Sequence, residues 1–385
     1  MPLVATCAPR RRRPLPLPIA VLLCGLFAAL RAGAAALDWS VEIAPEGELF
    51  PVLDLSQAAP KSSASGNGLV IVRIRGDDEP HHLRAIVRTS GLRSASIVEA
   101  DIDARATIEL RPRLDWNVDW LRSLKSPSRQ AVEVTLETSG LLPETREIQA
   151  RVHPLDDALY FVREGRERID LGWVFAAYVN PRDPVVDTIV ADARAFDDAF
   201  DRPAADAGDS VRKARAIWTT LTRHGLRYAA GDPALSRGPA VYSQRVRLIG
   251  DVWNERRANC LDGSVLIASV MERIGIPAFL VLVPGHAFVG YHADGDRVEF
   301  LETTLLGARA ADDAANFEAA RSAGLARWRR VAARFDRRHG PDYALIDIGT
   351  ARSYGIIPIG APGDDGDRHP GASAARAIPR RSSPQ

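Results

Sequence analysis

Cysteine is scarce in this chain. Three occur in 385 residues, Cys7, Cys24 and Cys260, and the first two fall in a segment that reads as an export leader. The mature chain is then left with one thiol and no intramolecular disulfide partner, which excludes a disulfide scaffold. Lysine is equally sparse, at Lys61, Lys125 and Lys213 only, while arginine is abundant, as GC-rich coding bias produces. A concentrated basic face is also lacking. The leader holds five arginines and no acid, which leaves 45 basic against 49 acidic residues and a net charge near −4. Nothing there makes an electrostatic case for nucleic-acid binding. With these classes removed, Cys260 is either buried filler or a working nucleophile.

The leader sets the compartment. Arg10 to Arg13 form a basic region, Leu15 to Leu30 an apolar stretch, and Ala32-Gly33-Ala34 or Ala34-Ala35-Ala36 a small-residue cleavage site. The run is short for a membrane span, with a retained single anchor as the alternative. Bulky Leu23 before Cys24 argues against a lipoprotein box, and the residues after the arginines match a twin-arginine signal poorly. The expected location is periplasmic or secreted, with no stable membrane insertion after cleavage.

The length suggests two domains after a signal peptide at 1–36. Residues 37–158 carry short Val/Ile/Thr-rich stretches with period-two alternation: Leu69 to Ile74, His82 to Val87, Ala106 to Leu110, Ala131 to Leu136 and Glu147 to Val152. Their number and spacing suggest an immunoglobulin-like β-sandwich, with Ala58 to Gly68 a flexible loop. His81-His82 reads as solvated surface. Residues 159–359 are helical at first, over Pro184 to Phe200 and Ser210 to His224. Cys260 then opens an apolar helix that stops at Gly275 and Pro277. Strands are expected at Ala278 to Val283, His286 to His292 and Arg297 to Thr304, a helix at Asn316 to Arg337, and a strand at Tyr343 to Ile348. The Pro/Gly/Ser/Arg-rich stretch 360–385 reads as disordered.

The chemistry lies in the order Cys, His, acid. A helix N-terminus and a neighbouring imidazolium both favour negative charge on sulfur. His286 can take the thiol proton and later give one to a leaving amine. A carboxylate on the next strand can orient that imidazole. Which carboxylate serves depends on strand register, because residues opposite one another share a face and their numbers add to a constant. An even constant puts Glu302 on the face of His286, directly opposite it for a five-residue loop with Tyr291 against Arg297, or diagonal for a three-residue loop. A two- or four-residue loop turns Glu302 away and brings Glu299 to that face. Glu302 is preferred, with Glu299 left as surface charge.

The stretch from Gln244 to Gly307 resembles the transglutaminase-like superfamily, relatives of the papain-type thiol enzymes. The resemblance rests on Asn259-Cys260-Leu261-Asp262, Gly275-Ile276-Pro277-Ala278, Gly285-His286-Ala287-Phe288 and Leu301-Glu302-Thr303-Thr304. The helix Ala216-Ile217-Trp218 through Gly225-Leu226-Arg227-Tyr228 resembles the one preceding the core in that family. It implies an α+β fold, with a central Cys-bearing helix on an antiparallel sheet. It also implies acyl transfer through a thioester at Cys260, His286 and Glu302, given to water (a cysteine peptidase or amidase) or to an amine (cross-linking). Asn259 stands where the family has Gly, Glu302 where it has Asp, and the Cys-to-His interval of 26 residues is short.

Gln244, sixteen residues before Cys260, is either a second oxyanion donor beside the Cys260 backbone N–H or an exposed polar residue. Papain-like enzymes use an upstream glutamine this way. Asp262 suits the helix dipole. Asp347 reads as structural, paired with an arginine such as Arg352, and Trp253 and Tyr291 as core or rim. His286 and His292 lack standard metal spacing. No cofactor or metal is expected. The expected partner is a protein or peptide substrate, with a non-catalytic peptide-binding or scaffold module as the rival reading and the oligomeric state open.

Overall fold

The computed structural model describes residues 37–58, 68–198, 200–230, 240–335 and 342–359. The expected leader, the tail and most of the loop at 58–68 lie outside them. Among the described residues no helix is long and apolar enough to cross a membrane. Helix and strand are both abundant and fall in several sheets, an α+β chain.

The first half holds β1 (Asp38–Ile43), β2 (Glu48–Leu49), α1 (Pro51–Leu55), β3 (Val70–Arg75), β4 (His81–Thr89), β5 (Ser96–Ile102), β6 (Thr107–Leu110), α2 (Val118–Ser123), β7 (Ser128–Thr138) and β8 (Glu144–Val152). They form one sheet in the order β1-β3-β6 and another in the order β2-β8-β7-β4-β5. Alternation drives this arrangement. In β7, Val132, Val134 and Leu136 are buried while their neighbours face outward. The five expected strands overlap observed ones. β1 and β5 fall outside those five, although Asp-Trp-Ser-Val-Glu-Ile of β1 alternates just as clearly. His81 is a correction. It is buried, not solvated, with its ring held by Asp77 and the Ser139 carbonyl, and only His82 is exposed.

The second half holds β9 (Asp157–Glu164), β10 (Glu167–Asp170), α3 (Pro184–Ala193), α4 (Ala207–Arg223), β11 (Arg227–Tyr228), β12 (Val241–Arg245), α5 (Ile249–Glu255), β13 (Arg257–Ala258), α6 (Cys260–Arg273), β14 (Ala278–Val283), β15 (His286–Asp294), β16 (Arg297–Leu301), α7 (Asp313–Phe335), β17 (Ala344–Asp347) and α8 (Ile348–Ser353). β9 pairs with β10 and β12, so the chain changes sheets between Val152 and Asp157. His153 ties the junction. Its buried ring meets Asp157 through Nδ1 and Glu48 through Nε2 and stacks on Phe50. Burial pushes its pKa down, but the two carboxylates outweigh that and hold it up.

The sheet that carries the site runs β16-β15-β14-β17, each neighbour antiparallel. Its two faces separate cleanly by residue parity. Leu280, Ala287, Val289 and Tyr291 join the main core with α6, whereas Phe279, Val281, Phe288 and Phe300 form a second cluster under Leu325, Trp328, Val331 and Phe335 of α7. Helix α6 is buried almost all round, as a central helix must be, and ends at Gly275, whose φ of +78° suits only glycine well. Gly324 lets α7 lie against the β16 backbone. A Cβ there would come within 2.8 Å of the Phe300 carbonyl carbon.

Candidate active site

The start of α6 explains why Asn stands before Cys260. Asn259 is the N-cap, and its Oδ1 accepts from the Leu261 and Asp262 N–H groups at 2.8 and 2.9 Å. Asp262 replies by accepting the Asn259 N–H at 3.0 Å, a reciprocal capping box. Its other oxygen accepts the Arg247 N–H at 2.9 Å. Burial pushes the Asp262 pKa up to about 6, against the pull of these backbone donors. The cap fixes the first helical residue, Cys260, which is the single free thiol among the described residues and is half-buried.

A second set of bonds ties that residue to the acid. The Cys260 carbonyl accepts from Ser264 Oγ at 2.6 Å and from Thr303 Oγ1 at 2.9 Å. Thr303 directly follows Glu302. Gly263 permits this approach, since a Cβ there would sit 3.1 Å from both Thr303 Cβ and Leu306 Cδ1.

His286 Nε2 and Glu302 Oε2 are 3.0 Å apart, with the carboxylate almost wholly buried. The Cys260 side chain lies in interaction range of the same imidazole. Burial works against the imidazolium, but Cys260 and Glu302 outweigh it and raise the His286 pKa to about 9. For Glu302, burial is likewise outweighed by His286, Thr304 and Arg327, and its pKa falls to about 2. Glu302 Oε1 accepts from Thr304 Oγ1 at 2.9 Å, and Arg327 Nε donates to Oε2 at 2.6 Å. The carboxylate is therefore held on both oxygens by donors from three directions.

The register reaches this arrangement by an unexpected route. Tyr291 faces Glu299 and His292 faces Val298; the pairing then slips by one residue, and Asp294 faces Arg297. The turn is thus two residues long, Gly295-Asp296, which in regular strands turns Glu302 away from His286. The extra residue at Ala293 is a β-bulge that restores the even constant. Extended by one step, the register sets Glu302 level with Phe288 and diagonal to His286. The strand also ends sooner than expected, at Leu301, and Glu302 instead caps the short 3-10 turn Thr303–Leu305.

Cys260, His286 and Glu302 are thus brought together, and Gln244 is not joined to them. Its amide nitrogen donates to the adjacent Arg245 carbonyl at 3.0 Å, and among the described residues no hydrogen bond links it to the other three. Tyr228 was overlooked as a site residue. Its pKa is raised by burial and by the charges of Cys260 and Glu302. It is exposed and lies near the site, on a strand fixed by Tyr228 N to Leu306 O and Ala229 N to Ala258 O. Arg327 was also overlooked; no local pattern tells which face of a distant helix meets the acid. Glu299 is a correction. It is buried and held by Arg321 and Arg297, not a surface charge. Asp347 caps α8 through the Thr350 N–H, while Arg352 donates to the Ala176, Val179 and Ile356 carbonyls instead. Tyr291 is fully buried, and Trp253 stacks on His224. Among the described residues, no group of three His, Cys, Asp or Glu side chains could hold a metal ion.

Neither a family model nor a curated protein matches the chain.

Proposed function

We propose that the chain is an exported thiol enzyme of transglutaminase-like type, a cysteine peptidase or amidase acting through Cys260, His286 and Glu302. The carrying observation is the 3.0 Å contact between His286 Nε2 and Glu302 Oε2, with Cys260 beside the same ring at the start of α6. Nε2 faces the carboxylate, which leaves Nδ1 for the sulfur. The reading takes residues 159–359 as the transglutaminase-like unit and the two-sheet first half as an immunoglobulin-like sandwich that supports or presents it.

In this reading Cys260 sulfur, at the start of α6 and beside the His286 ring, attacks an amide carbonyl as its proton rests on that ring. The carbonyl pair moves to oxygen, beside the Cys260 backbone N–H. His286 gives its proton to the leaving amine as the C–N bond breaks, and a thioester remains. It then takes a proton from the incoming water, whose oxygen displaces the sulfur. Glu302 holds one ring orientation throughout.

The test is a mixture of the purified protein with periplasmic proteins and cell-wall peptides, followed by mass spectrometry of the Cys260 peptide. An acyl adduct on Cys260, released as acid by water, supports the reading. Release to an added amine in preference to water points to cross-linking. No adduct, together with identical products from Cys260→Ala, removes the enzyme reading in favour of a binding module.

A further inference from the structure

Arg327 does two things at once in this geometry. Its Nε is spent on Glu302 Oε2, the oxygen that also meets His286 Nε2. The imidazole and the guanidinium are therefore second neighbours through a single atom. About a third of the Arg327 side chain stays accessible, at 34%, and its two Nη groups have no hydrogen-bond partner among the described residues. A guanidinium fixed at one edge with its donors open at the other is preorganised for a carboxylate.

Charge around it follows the same pattern. Some exposed arginines of this chain meet acids, as Arg73, Arg105, Arg194 and Arg223 do. Arg330 and Arg334 follow Arg327 on one side of α7 at helical spacing, are exposed, and meet no carboxylate among the described residues. Just before Cys260 in the chain, Arg257 of β13 stands in register with Arg227 of the adjacent strand β11, again without an acidic partner among the described residues. Like charges side by side on paired strands are unfavourable, and an anion bound nearby offsets that. Positive charge without an acidic partner among the described residues thus lies on α7, β11 and β13, which all pack beside the elements of the site, in a chain whose expected mature charge is negative.

We propose that Arg327 is the centre of an anion-binding subsite beside His286, and that the acyl substrate is an acidic peptide with a carboxylate close to the amide attacked by Cys260. The subsite rests on the thiol-enzyme reading for its substrate, but its charge can be measured without turnover.

The probes are iodoacetate and iodoacetamide, which differ by one negative charge and alkylate the same sulfur. For the wild-type protein at low salt, the iodoacetate-to-iodoacetamide rate ratio is expected to exceed that of glutathione by about threefold or more, the order set by a nearby charge at a partly exposed site. It should fall toward the glutathione value in about 0.5 M salt. The imidazolium also contributes to this ratio, so the deciding comparison is Arg327→Gln, expected to remove most of Arg327's share while the iodoacetamide rate reports on His286 separately. Should that variant fold poorly, the double variant Arg330→Gln and Arg334→Gln, at two exposed positions, must still lower the ratio and its salt dependence. A ratio unchanged by Arg327→Gln, or unchanged by the double variant where that one is used, overturns the proposal. Loss of iodoacetamide reactivity in His286→Ala bears on the thiol-enzyme reading alone.

Discussion

Ser210 Oγ donates to the Ala293 carbonyl at 2.6 Å, so α4 holds the one-residue bulge that turns Glu302 toward His286. Ser210 is buried, and without it that carbonyl loses its side-chain donor. The β15–β16 hairpin alone offers two parities, and a tertiary contact secures the productive one.

Two outcomes follow. Ser210→Ala should cost about 1–3 kcal/mol in urea unfolding, the usual loss for stranding a buried acceptor. Deletion of Ala293 should leave the site in place, because it removes the extra residue while Asp294 stays opposite Arg297 and His292 opposite Val298, which keeps Glu302 on the face of His286. The His286 titration, followed by NMR, should stay at about 9 in that variant. A fall toward the ordinary 6.5 contradicts the register account.

The His286–Glu302 pair also sets a pH window. The His286 pKa is raised, so its contribution to stability is complete below about 6.5 and is lost as pH rises through about 9. The Glu302 pKa is depressed, so its contribution is present above about 4.5 and is lost as pH falls through about 2. Both hold in full between about 4.5 and 6.5. Glu302→Gln should lower the His286 titration midpoint and flatten the decline in stability between pH 6.5 and 9. An unchanged midpoint would mean that the carboxylate is not what charges the ring.

Asn259 and Asp262 give a test of the helix start. Asn259→Gly should cost only a few tenths of a kcal/mol, and Asn259→Ala about 1 kcal/mol, because glycine is itself a tolerable N-cap. Asp262→Ala should cost about 1–3 kcal/mol, since it strands the buried Asn259 N–H and leaves the Arg247 N–H without its acceptor. Denaturant midpoints for the three variants should fall in that order. Equal midpoints for Asn259→Gly and Asp262→Ala would show that the reciprocal cap contributes little.

Gln244 supplies a negative expectation. Its amide is engaged with the Arg245 carbonyl, so Gln244→Ala should leave acyl-adduct formation on Cys260 within about twofold of wild type. A loss of a hundredfold or more, the scale of a missing oxyanion donor, would return it to the site.

The legible parts of this protein were those encoded locally. Asn259 to Asp262 announces a helix start through cap chemistry, and the apolar run after it can only be a buried helix. Residues 278–301 alternate or run apolar in strand-length pieces, so the hairpin bearing His286 was readable. What could not be read depends on distant partners. The turn Gly295-Asp296 looks compatible with several loop lengths, and the bulge that resolves it is secured by Ser210. Glu299 looked like surface charge because Arg321 lies on α7, and Arg327 reaches Glu302 from the same helix. β1 and β5 carry the same alternation as the expected strands and are legible on that ground.

The central claim is that Cys260 is activated by His286, and alkylation kinetics address it most directly. At pH 7 the wild-type protein should react with iodoacetamide faster than a free thiol does, and His286→Ala should lose most of that excess while remaining folded. Equal rates in the two proteins would contradict the account, and Cys260 would be only a small residue at the start of a buried helix.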